Sequence, residues 1–418
     1  MKKFNKLVSV VVASAMVLAM AGCGGSDAGN SVNNSTGNNS TVENSGAANN
    51  SAANNNAEGG NGAASGTFKI GGIGPTTGGA AIYGINVMNG IQLAVNEINA
   101  AGGVNGYQLE VNFQDDEHDA EKSINAYNTV KDWGAQMIIG CVTSTPCIAV
   151  SEETHKDNMM MLTPSGSAVK CTQYDNAFQV CFSDPNQGAA SAQYIGENKL
   201  GEKIAVIYDS SDVYSSGIYE SFVKGAANQD FEIVVAEAFT SDNKTDFSVQ
   251  LQKAKDANAD LVFLPIYYQE SALILTQANS MGYAPKWFSC DGMDGILGVE
   301  NFDVSLTEGV MLLTPFAADA KDAASQAFTA SYRAAYNDTP NQFAADGYDA
   351  VYILAEAIKQ SNANPSMSVS ELGDALKAAM PQITVDGVTG EGMTWVETGE
   401  VNKAPRAVVI KNGEYTAM

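Results

Sequence analysis

The sequence predicts an α/β protein of two doubly wound lobes, and two observations support this fold class. After residue 66, short and mostly apolar strands alternate with amphipathic helices, a pattern typical of parallel sheets that are covered on both faces. The alternation runs to about residue 162, restarts after the segment SDPN at 183–186 and continues to about residue 281. Two such runs indicate two sheets, each with its own helices.

The first run begins with a buried strand, which a strongly amphipathic helix follows. In that helix Val87, Ile91 and Ile98 recur at helical spacing, and the pair Gly102-Gly103 ends it. The predicted elements of this run are the strand 68–73, the helix 84–100, the strand 109–113, the helix 120–133, the strand 137–139, the helix 146–156 and the strand 159–162.

The second run has the same rhythm, and three further helices follow it. These later helices must return to cover one of the two sheets. The predicted elements of the second run are the helix 189–198, the strand 204–208, the helix 216–227, the strand 233–238, the helix 247–257, the strand 261–264 and the helix 271–281. The later helices are predicted at about 323–336, 343–361 and 370–380.

The N-terminus has the features of an export signal. Basic residues precede an apolar stretch at 7–21, which ends in Met20-Ala21-Gly22-Cys23. This order resembles a bacterial lipobox. We therefore expect residues 1–22 to be a lipoprotein signal peptide and Cys23 to be the lipidated first residue of the mature chain.

The segment that follows, 23–66, is rich in Gly, Ser, Asn, Ala and Thr and has no aromatic residue. Such a chain buries too little apolar surface to fold, so we expect a disordered linker with a reach of roughly 35 Å. The lipid and the linker together predict an extracytoplasmic protein that is anchored to the cell membrane, on the outer face or in a periplasm.

The charge and the composition exclude several kinds of partner. The full chain has a formal net charge of −25, which argues against binding nucleic acid or lying flat on anionic lipid. Beyond the N-terminal segment no apolar stretch is long enough to cross a bilayer, so the lipid is the only predicted membrane attachment. We expect a monomer.

The sequence contains few of the residues and motifs that are typical of an enzyme active site. Only His118 and His155 are present, and the motifs H-E-x-x-H and G-x-S-x-G are absent. The loop at 71–84, GGIGPTTGGAAIYG, resembles a dinucleotide fingerprint, but Thr77 stands where the last glycine is needed. The sequence therefore predicts no enzyme, no cofactor and no metal site.

Five cysteines follow Cys23, and outside the cytoplasm cysteine pairs usually form disulfides. Cys171 and Cys181 could pair across a short turn, and Cys141 could pair with Cys147, which leaves Cys290 free. The spacing of Cys141 and Cys147 does not fit a zinc site. The connectivity stays open at this stage.

The stretch IIGCVTSTPCIAV at 138–150 predicts a site for an anion. Thr145-Pro146 places a proline at the predicted start of a helix, whose free N–H groups and dipole favour an anion. The loop 163–168, TPSGSA, offers further hydroxyl and amide groups, and Asp291 offers a carboxylate. These groups suit an α-amino acid, which carries both charges on one carbon. Ligands of open α/β sheets bind beyond the carboxyl ends of the strands, where these loops lie.

Over about residues 68 to 400 the chain resembles the type I periplasmic (solute-binding) proteins, in particular their leucine/isoleucine/valine-binding branch. The segments that carry this resemblance are, in order, IGPTTGGAAIYG, VNEINAAGGVNG, QDDEHDAEKS, IIGCVTST, MLTPSGSA, YDSSDVYSSG, YYQES and FSCDG.

The resemblance implies two Rossmann-like lobes joined by three crossover strands, with the ligand cleft between the lobes. The crossovers are expected near 182–186, 313–315 and 388–390. Lobe 1 then consists of residues 67–184 and 316–388, and lobe 2 of residues 185–315 and 389–418.

The resemblance also implies roles for four residues of lobe 1. Ser144 matches the serine that holds the ligand carboxylate, and Ser167 matches a threonine that bridges the carboxylate and the ammonium group. Ser165 and Gly166 match residues whose backbone contacts these groups.

Five more residues are implied to complete the site. Tyr214 and Tyr267 match aromatic residues of the second lobe, and Tyr83 and Phe343 match residues that line the side-chain pocket. Asp291 stands where the family has a glutamate that pairs with the ammonium group, so its carboxylate lies one methylene further back.

A second departure concerns a family disulfide between the loops after the second and third strands. Here His118 occupies the first position, so Cys141 lacks that partner and Cys147 is the nearest replacement.

The resemblance implies a lipid-anchored solute-binding protein of an ABC importer. Such a protein closes over an amino acid, by default a branched-chain one, and delivers it to a permease and ATPase complex. Two alternatives stay open: a sensor for another small amino acid, amide or urea, and a surface hydrolase.

Overall fold

The computed structural model describes residues 66–418, which belong to one compact unit. The predicted signal peptide, the lipidation of Cys23 and the linker up to residue 65 lie outside the described residues. Among residues 66–418, no helix is both long and apolar enough to cross a membrane.

The first sheet has five parallel strands in the order β2-β1-β3-β4-β5. Its strands are β1 (Thr67–Gly74), β2 (Gln108–Asp115), β3 (Met137–Gly140), β4 (Met160–Thr163) and β5 (Ala177–Gln179). The connecting helices are α1 (Ala81–Ala100), α2 (Ala120–Trp133) and α3 (Ser144–Asp157).

Both faces of this sheet are covered, as the apolar strands predict. Ile138 and Met161 pack with Val130 of α2 on one face. Ile139 and Leu162, one residue further along β3 and β4, belong to the core on the other face, with α1. Successive side chains of a strand point to opposite faces, so these strands must be apolar throughout.

The second sheet has seven strands in the order β14-β13-β10-β9-β8-β6-β7. Its strands are β6 (Lys203–Asp209), β7 (Glu232–Phe239), β8 (Leu261–Leu264), β9 (Lys286–Ser289), β10 (Met311–Thr314), β13 (Arg406–Lys411) and β14 (Glu414–Ala417). Its helices are α4 (Asp184–Glu197), α5 (Val213–Ala226), α6 (Ser248–Asp256) and α7 (Tyr268–Ser280). Strands β6 to β10 pair in parallel, whereas β13 pairs antiparallel with both β10 and β14.

The three later helices return to the first sheet. They are α8 (Ala323–Tyr336), α9 (Gln342–Ser361) and α10 (Val369–Ala379). Helix α9 packs along α1, and α10 contacts α9 and β4. The packing of α9 on α1 depends on Gly90, where an added Cβ would lie 2.0 Å from the carbonyl oxygen of Ala344.

A small hairpin of β11 (Thr394–Trp395) and β12 (Val401–Asn402) lies near the predicted crossovers. Beside it the buried ammonium group of Lys403 lies 3.3 Å from a carboxylate oxygen of Asp346. Lys403 also donates to the Val180 carbonyl and the Thr389 hydroxyl, so it joins distant parts of the chain. The lobe boundaries themselves stay predictions.

Candidate functional site

The loops after β3 and β4 meet at Ser144, the first residue of α3. The Ser144 Oγ accepts hydrogen bonds from the backbone N–H groups of Ser167, at 3.3 Å, and Ala168, at 3.2 Å. Both contacts use the oxygen as an acceptor, so the hydroxyl proton is left to be donated to another group. Ser144 is thereby held in place and can still donate to an anion at the N-terminus of α3.

The loop after β4 folds back against the loop after β3. The Ser165 hydroxyl donates to the carbonyl of Val142 at 2.6 Å, and the Gly166 N–H donates to Thr163 Oγ1 at 2.7 Å. These two groups are therefore engaged within the lobe. The Ser167 hydroxyl is different, because it is buried and has no hydrogen bond of normal geometry within residues 66–418.

Asp291, which follows β9, is the acidic centre of the facing sheet. One carboxylate oxygen accepts from the Tyr214 hydroxyl at 2.7 Å, and the other accepts from Gln187 Nε2 at 3.0 Å. Burial raises the pKa of Asp291 to about 7, although the hydrogen bonds from Tyr214, Gly292 and Gln187 oppose this shift. A buried carboxyl of this kind favours a cation as partner, since a cation stabilises its ionised form.

Aromatic side chains close the site. Tyr83 of α1 reaches across to the loop after β9, where its hydroxyl donates to the carbonyl of Gly292. Its ring lies 4.2 Å from that of Phe343 and 5.4 Å, edge to face, from that of Tyr267. The Tyr267 hydroxyl is buried and has no hydrogen-bond partner among the residues that the structure describes.

Most of the residues that the sequence predicted lie around one small cavity. Its volume is about 10 Å³, which is room for roughly one water molecule, so a larger ligand requires the walls to separate. Gly166 and Ser167 lie beside this cavity rather than in its wall. The predicted residues that line it are Tyr83, Ser144, Ser165, Tyr214, Tyr267, Asp291 and Phe343.

The comparisons with known proteins identify the family of this chain. A model of the family described as "Periplasmic binding protein" matches residues 67–414. The chain belongs to this family. Periplasmic binding proteins are non-enzymatic components of transport systems, and the fold class predicted from the sequence is confirmed.

Individual relatives place this binding protein in the leucine/isoleucine/valine-binding branch. The leucine-, isoleucine-, valine-, threonine-, and alanine-binding protein of Pseudomonas aeruginosa is 29% identical over 318 residues, covering 75% of this chain and 83% of the relative. The Leu/Ile/Val-binding protein of Escherichia coli is 27% identical over 335 residues, covering 80% and 88%.

Solved structures give the same assignment. The branched-chain amino acid transporter substrate-binding protein LivJ of Streptococcus pneumoniae, in complex with isoleucine, is 30% identical, with a TM-score of 0.76. The match covers 84% of this chain and 98% of LivJ. The leucine-binding protein LivK of Thermotoga maritima is 26% identical with a TM-score of 0.74, covering 84% of this chain and 97% of LivK.

The sequence analysis missed two residues that position Asp291. Gln187 lies in the first turn of α4 and both donates to the carboxylate and accepts from the backbone N–H of Asp291. Gln342 donates to the carbonyl of Asp291 at 3.2 Å. In the sequence, each of these glutamines stands near the start of an apolar helix. That pattern does not indicate that either side chain forms a hydrogen bond with Asp291.

The binding protein also has a hydrogen bond where the family disulfide was expected. His118 Nδ1 lies 2.8 Å from Thr143 Oγ1, so the loops after β2 and β3 are joined without cysteine. The His118 ring packs edge to face on Tyr267 with 5.6 Å between ring centroids. Burial, followed by the charge of Lys244, lowers the pKa of His118, which favours the neutral ring.

The predicted disulfides are not formed. Cys141, Cys147, Cys171, Cys181 and Cys290 are all buried free thiols. Burial also raises the pKa values of Cys141, Cys171 and Cys181, so these thiols resist ionisation to the thiolate that disulfide formation requires.

Cys171 and Cys181 do not pair because of the way the turn at 169–172 packs. It places the Cys171 thiol against the start of α3, 3.7 Å from the carbonyl of Ser144 and next to Cys147, rather than across the turn toward Cys181. Cys147 in turn packs against Gly166, where an added Cβ would lie 2.8 Å from the sulfur.

The raised pKa of Asp291 predicts a pH dependence of stability. The folded protein holds this proton more tightly than the unfolded chain, so the resulting stabilisation is complete below about pH 4 and is lost as pH rises to about 7. In the ligand-free protein, Asp291→Asn should therefore reduce the fall in Tm between about pH 5 and about pH 8. The exposed Asp242→Asn is the control, and equal slopes for wild type and Asp291→Asn would contradict the assignment.

The contact between His118 and Thr143 predicts an energetic coupling. In a double-mutant cycle with His118→Ala and Thr143→Val, measured by urea unfolding, we expect a coupling energy of about 1 kcal/mol. His118 has a left-handed backbone with φ of 59°, which strains alanine, but this strain is present in both variants that carry the change and cancels. A coupling near zero would mean that the hydrogen bond does not stabilise the fold.

Proposed function

We propose that the protein is an extracytoplasmic solute-binding lipoprotein of an ABC importer, which binds an amino acid and presents it to a membrane permease. One observation carries the proposal. A hydroxyl at a helix N-terminus and a buried carboxyl from the facing sheet line one cavity, beside hydroxyls that lack partners. These groups match the two charges of an α-amino acid.

The carboxylate end of the ligand is assigned to Ser144. Its hydroxyl proton is free, and the N–H groups in the first turn of α3 have no partner within the helix. The helix dipole adds a favourable potential for an anion at this end. Ser165 contributes backbone to the same wall, because its hydroxyl is occupied by Val142.

The ammonium end is assigned to Asp291 and Ser167. The charge of an ammonium group would stabilise the ionised form of Asp291, and each charge-assisted hydrogen bond contributes about 1.5–3 kcal/mol. The Ser167 hydroxyl supplies an acceptor that nothing else in the described chain uses.

The side chain of the ligand is assigned to the aromatic wall of Tyr83, Tyr267 and Phe343. An apolar side chain that enters there separates rings whose centroids now lie 4.2–5.4 Å apart. Branched-chain ligands are favoured because the relatives include proteins named for leucine, isoleucine and valine. Threonine and alanine belong to the printed name of one relative and are the next candidates.

Closure follows from the same geometry. The small cavity is walled by residues of both sheets, so a ligand enters when the walls separate and stabilises the closed form by contacting both sides. The closed form is then the state for a permease to recognise. The predicted lipid on Cys23 and the linker would hold the protein near that permease.

The test is a thermal-shift screen of the compact unit Asn61–Met418 against the twenty amino acids, small amides and ureas. A ligand at 100 times its Kd should stabilise the protein by about 2.7 kcal/mol. We expect branched-chain amino acids to give the largest shifts, and Ser144→Ala to weaken them by about tenfold or more.

Ser123→Ala is the matched control, since it removes another buried hydroxyl, outside the site, and should leave the affinity unchanged. Stabilisation by an amide or urea but by no amino acid would refute the assigned roles of Ser144 and Asp291.

A further inference from the structure

Asp184 is a second buried carboxyl group beside the site. It is the first residue of α4 and is 2% exposed. Neither of its carboxyl oxygens has a hydrogen bond of normal geometry within residues 66–418. A buried carboxyl without partners is costly, so its presence requires an explanation.

The surroundings of Asp184 connect it to the site. Its backbone N–H donates to the carbonyl of Ser167 at 2.9 Å, and the Ser167 hydroxyl lies close enough to the carboxyl to act on its pKa. On its other side is Gly217, where an added Cβ would lie 3.2 Å from Asp184 Oδ2. Asp184 also borders an open groove of about 650 Å³ that reaches from Thr145 to α5.

The electrostatic environment of Asp184 is acidic. Burial raises the pKa of Asp184 well above the usual value. The nearby Ser167 hydroxyl lowers this pKa, whereas the negative charges of Asp291 and Asp212 raise it further. Among residues 66–418, no basic side chain offsets these effects.

We propose that Asp184 binds the ammonium group of the ligand together with Asp291 and Ser167. This inference rests on the proposed function. An ammonium group has three N–H donors, and these three residues supply one acceptor each. Each oxygen of Asp291 already accepts one hydrogen bond, from Tyr214 or from Gln187, and can accept one more, so the free oxygens of Asp184 add to a partly used acceptor set.

A purely structural role for Asp184 explains less. An acidic residue in the first turn of a helix interacts favourably with the helix dipole. However, the oxygens of Asp184 accept no N–H from α4, and the N-cap residue Ser183 makes no side-chain capping bond either. The carboxyl is therefore not used at the helix end, and it lies beside the Ser167 hydroxyl.

The assignment has a thermodynamic signature. In the free protein burial raises the pKa of Asp184, which favours its protonated form. An arriving ammonium group stabilises the ionised form, so binding releases the proton to the buffer. The released protons can be counted by calorimetry in two buffers of different ionisation enthalpy.

The experiment uses the compact unit Asn61–Met418 at about pH 7 and, as probe, the amino acid that stabilises the wild type most. Asp184→Asn should weaken binding by about tenfold to a hundredfold, as expected for a lost charge-assisted hydrogen bond. It should also reduce the number of protons released per bound ligand. If Asp184→Asn fails to fold, Asp184→Ser replaces it.

Asp212→Asn is the matched control. Asp212 is also acidic and close by, but its carboxylate caps α5 by accepting from Ser215, a role that asparagine retains. It should change affinity by less than about threefold.

Two outcomes would refute the role of Asp184 and leave the proposed function intact. In one, Asp184→Asn binds the probe as the wild type does. In the other, it binds more weakly but releases the same number of protons. If the wild type binds no amino acid, the proposed function fails, and this inference fails with it.

Discussion

The buried carboxyl group of Asp291 is the interaction on which the rest of the site depends. Tyr214 of α5 and Gln187 of α4 hold its two oxygens, and Gln342 of α9 holds its carbonyl. Helices of both sheets therefore converge on one acidic residue. Its burial raises the pKa to about 7, and this cost is offset when a cation stabilises the ionised form. Under the proposed function, the site is thus prepared for an ammonium group before any ligand arrives.

Under the proposed function, the facing loop that carries Ser144 receives the opposite charge. Ser144 is fixed by two backbone N–H groups but keeps its proton. The Ser167 hydroxyl has no hydrogen bond of normal geometry, and the Tyr267 hydroxyl has no partner, within residues 66–418. Buried polar groups without partners are rare in folded proteins. A zwitterion between the two sheets would satisfy the hydroxyls and the carboxyl together, which couples ligand binding to closure.

The sequence predicted what is local and missed what is distant. Apolar periodicity located α1, the rule for open sheets pointed to the loop that carries Ser144, and the family resemblance pointed to Asp291. The three-residue strand β5 was missed because it is too short to show alternation. The contact of Gln187 with Asp291 spans 104 positions, and no local pattern indicates it. The possible pairs Cys171–Cys181 and Cys141–Cys147 are free thiols in the structure, and the sequence could not decide this because pairing depends on where the turn carrying Cys171 packs.

The central claim is that Ser144 and Asp291 bind opposite ends of one amino acid. A crystal structure of the compact unit Asn61–Met418 with the amino acid that stabilises it most tests this directly. The account predicts the ligand carboxylate at hydrogen-bond distance, about 2.7–3.0 Å, from Ser144 Oγ, and the ammonium group on Asp291. A ligand bound elsewhere, or one with its carboxylate toward Asp291, would contradict it.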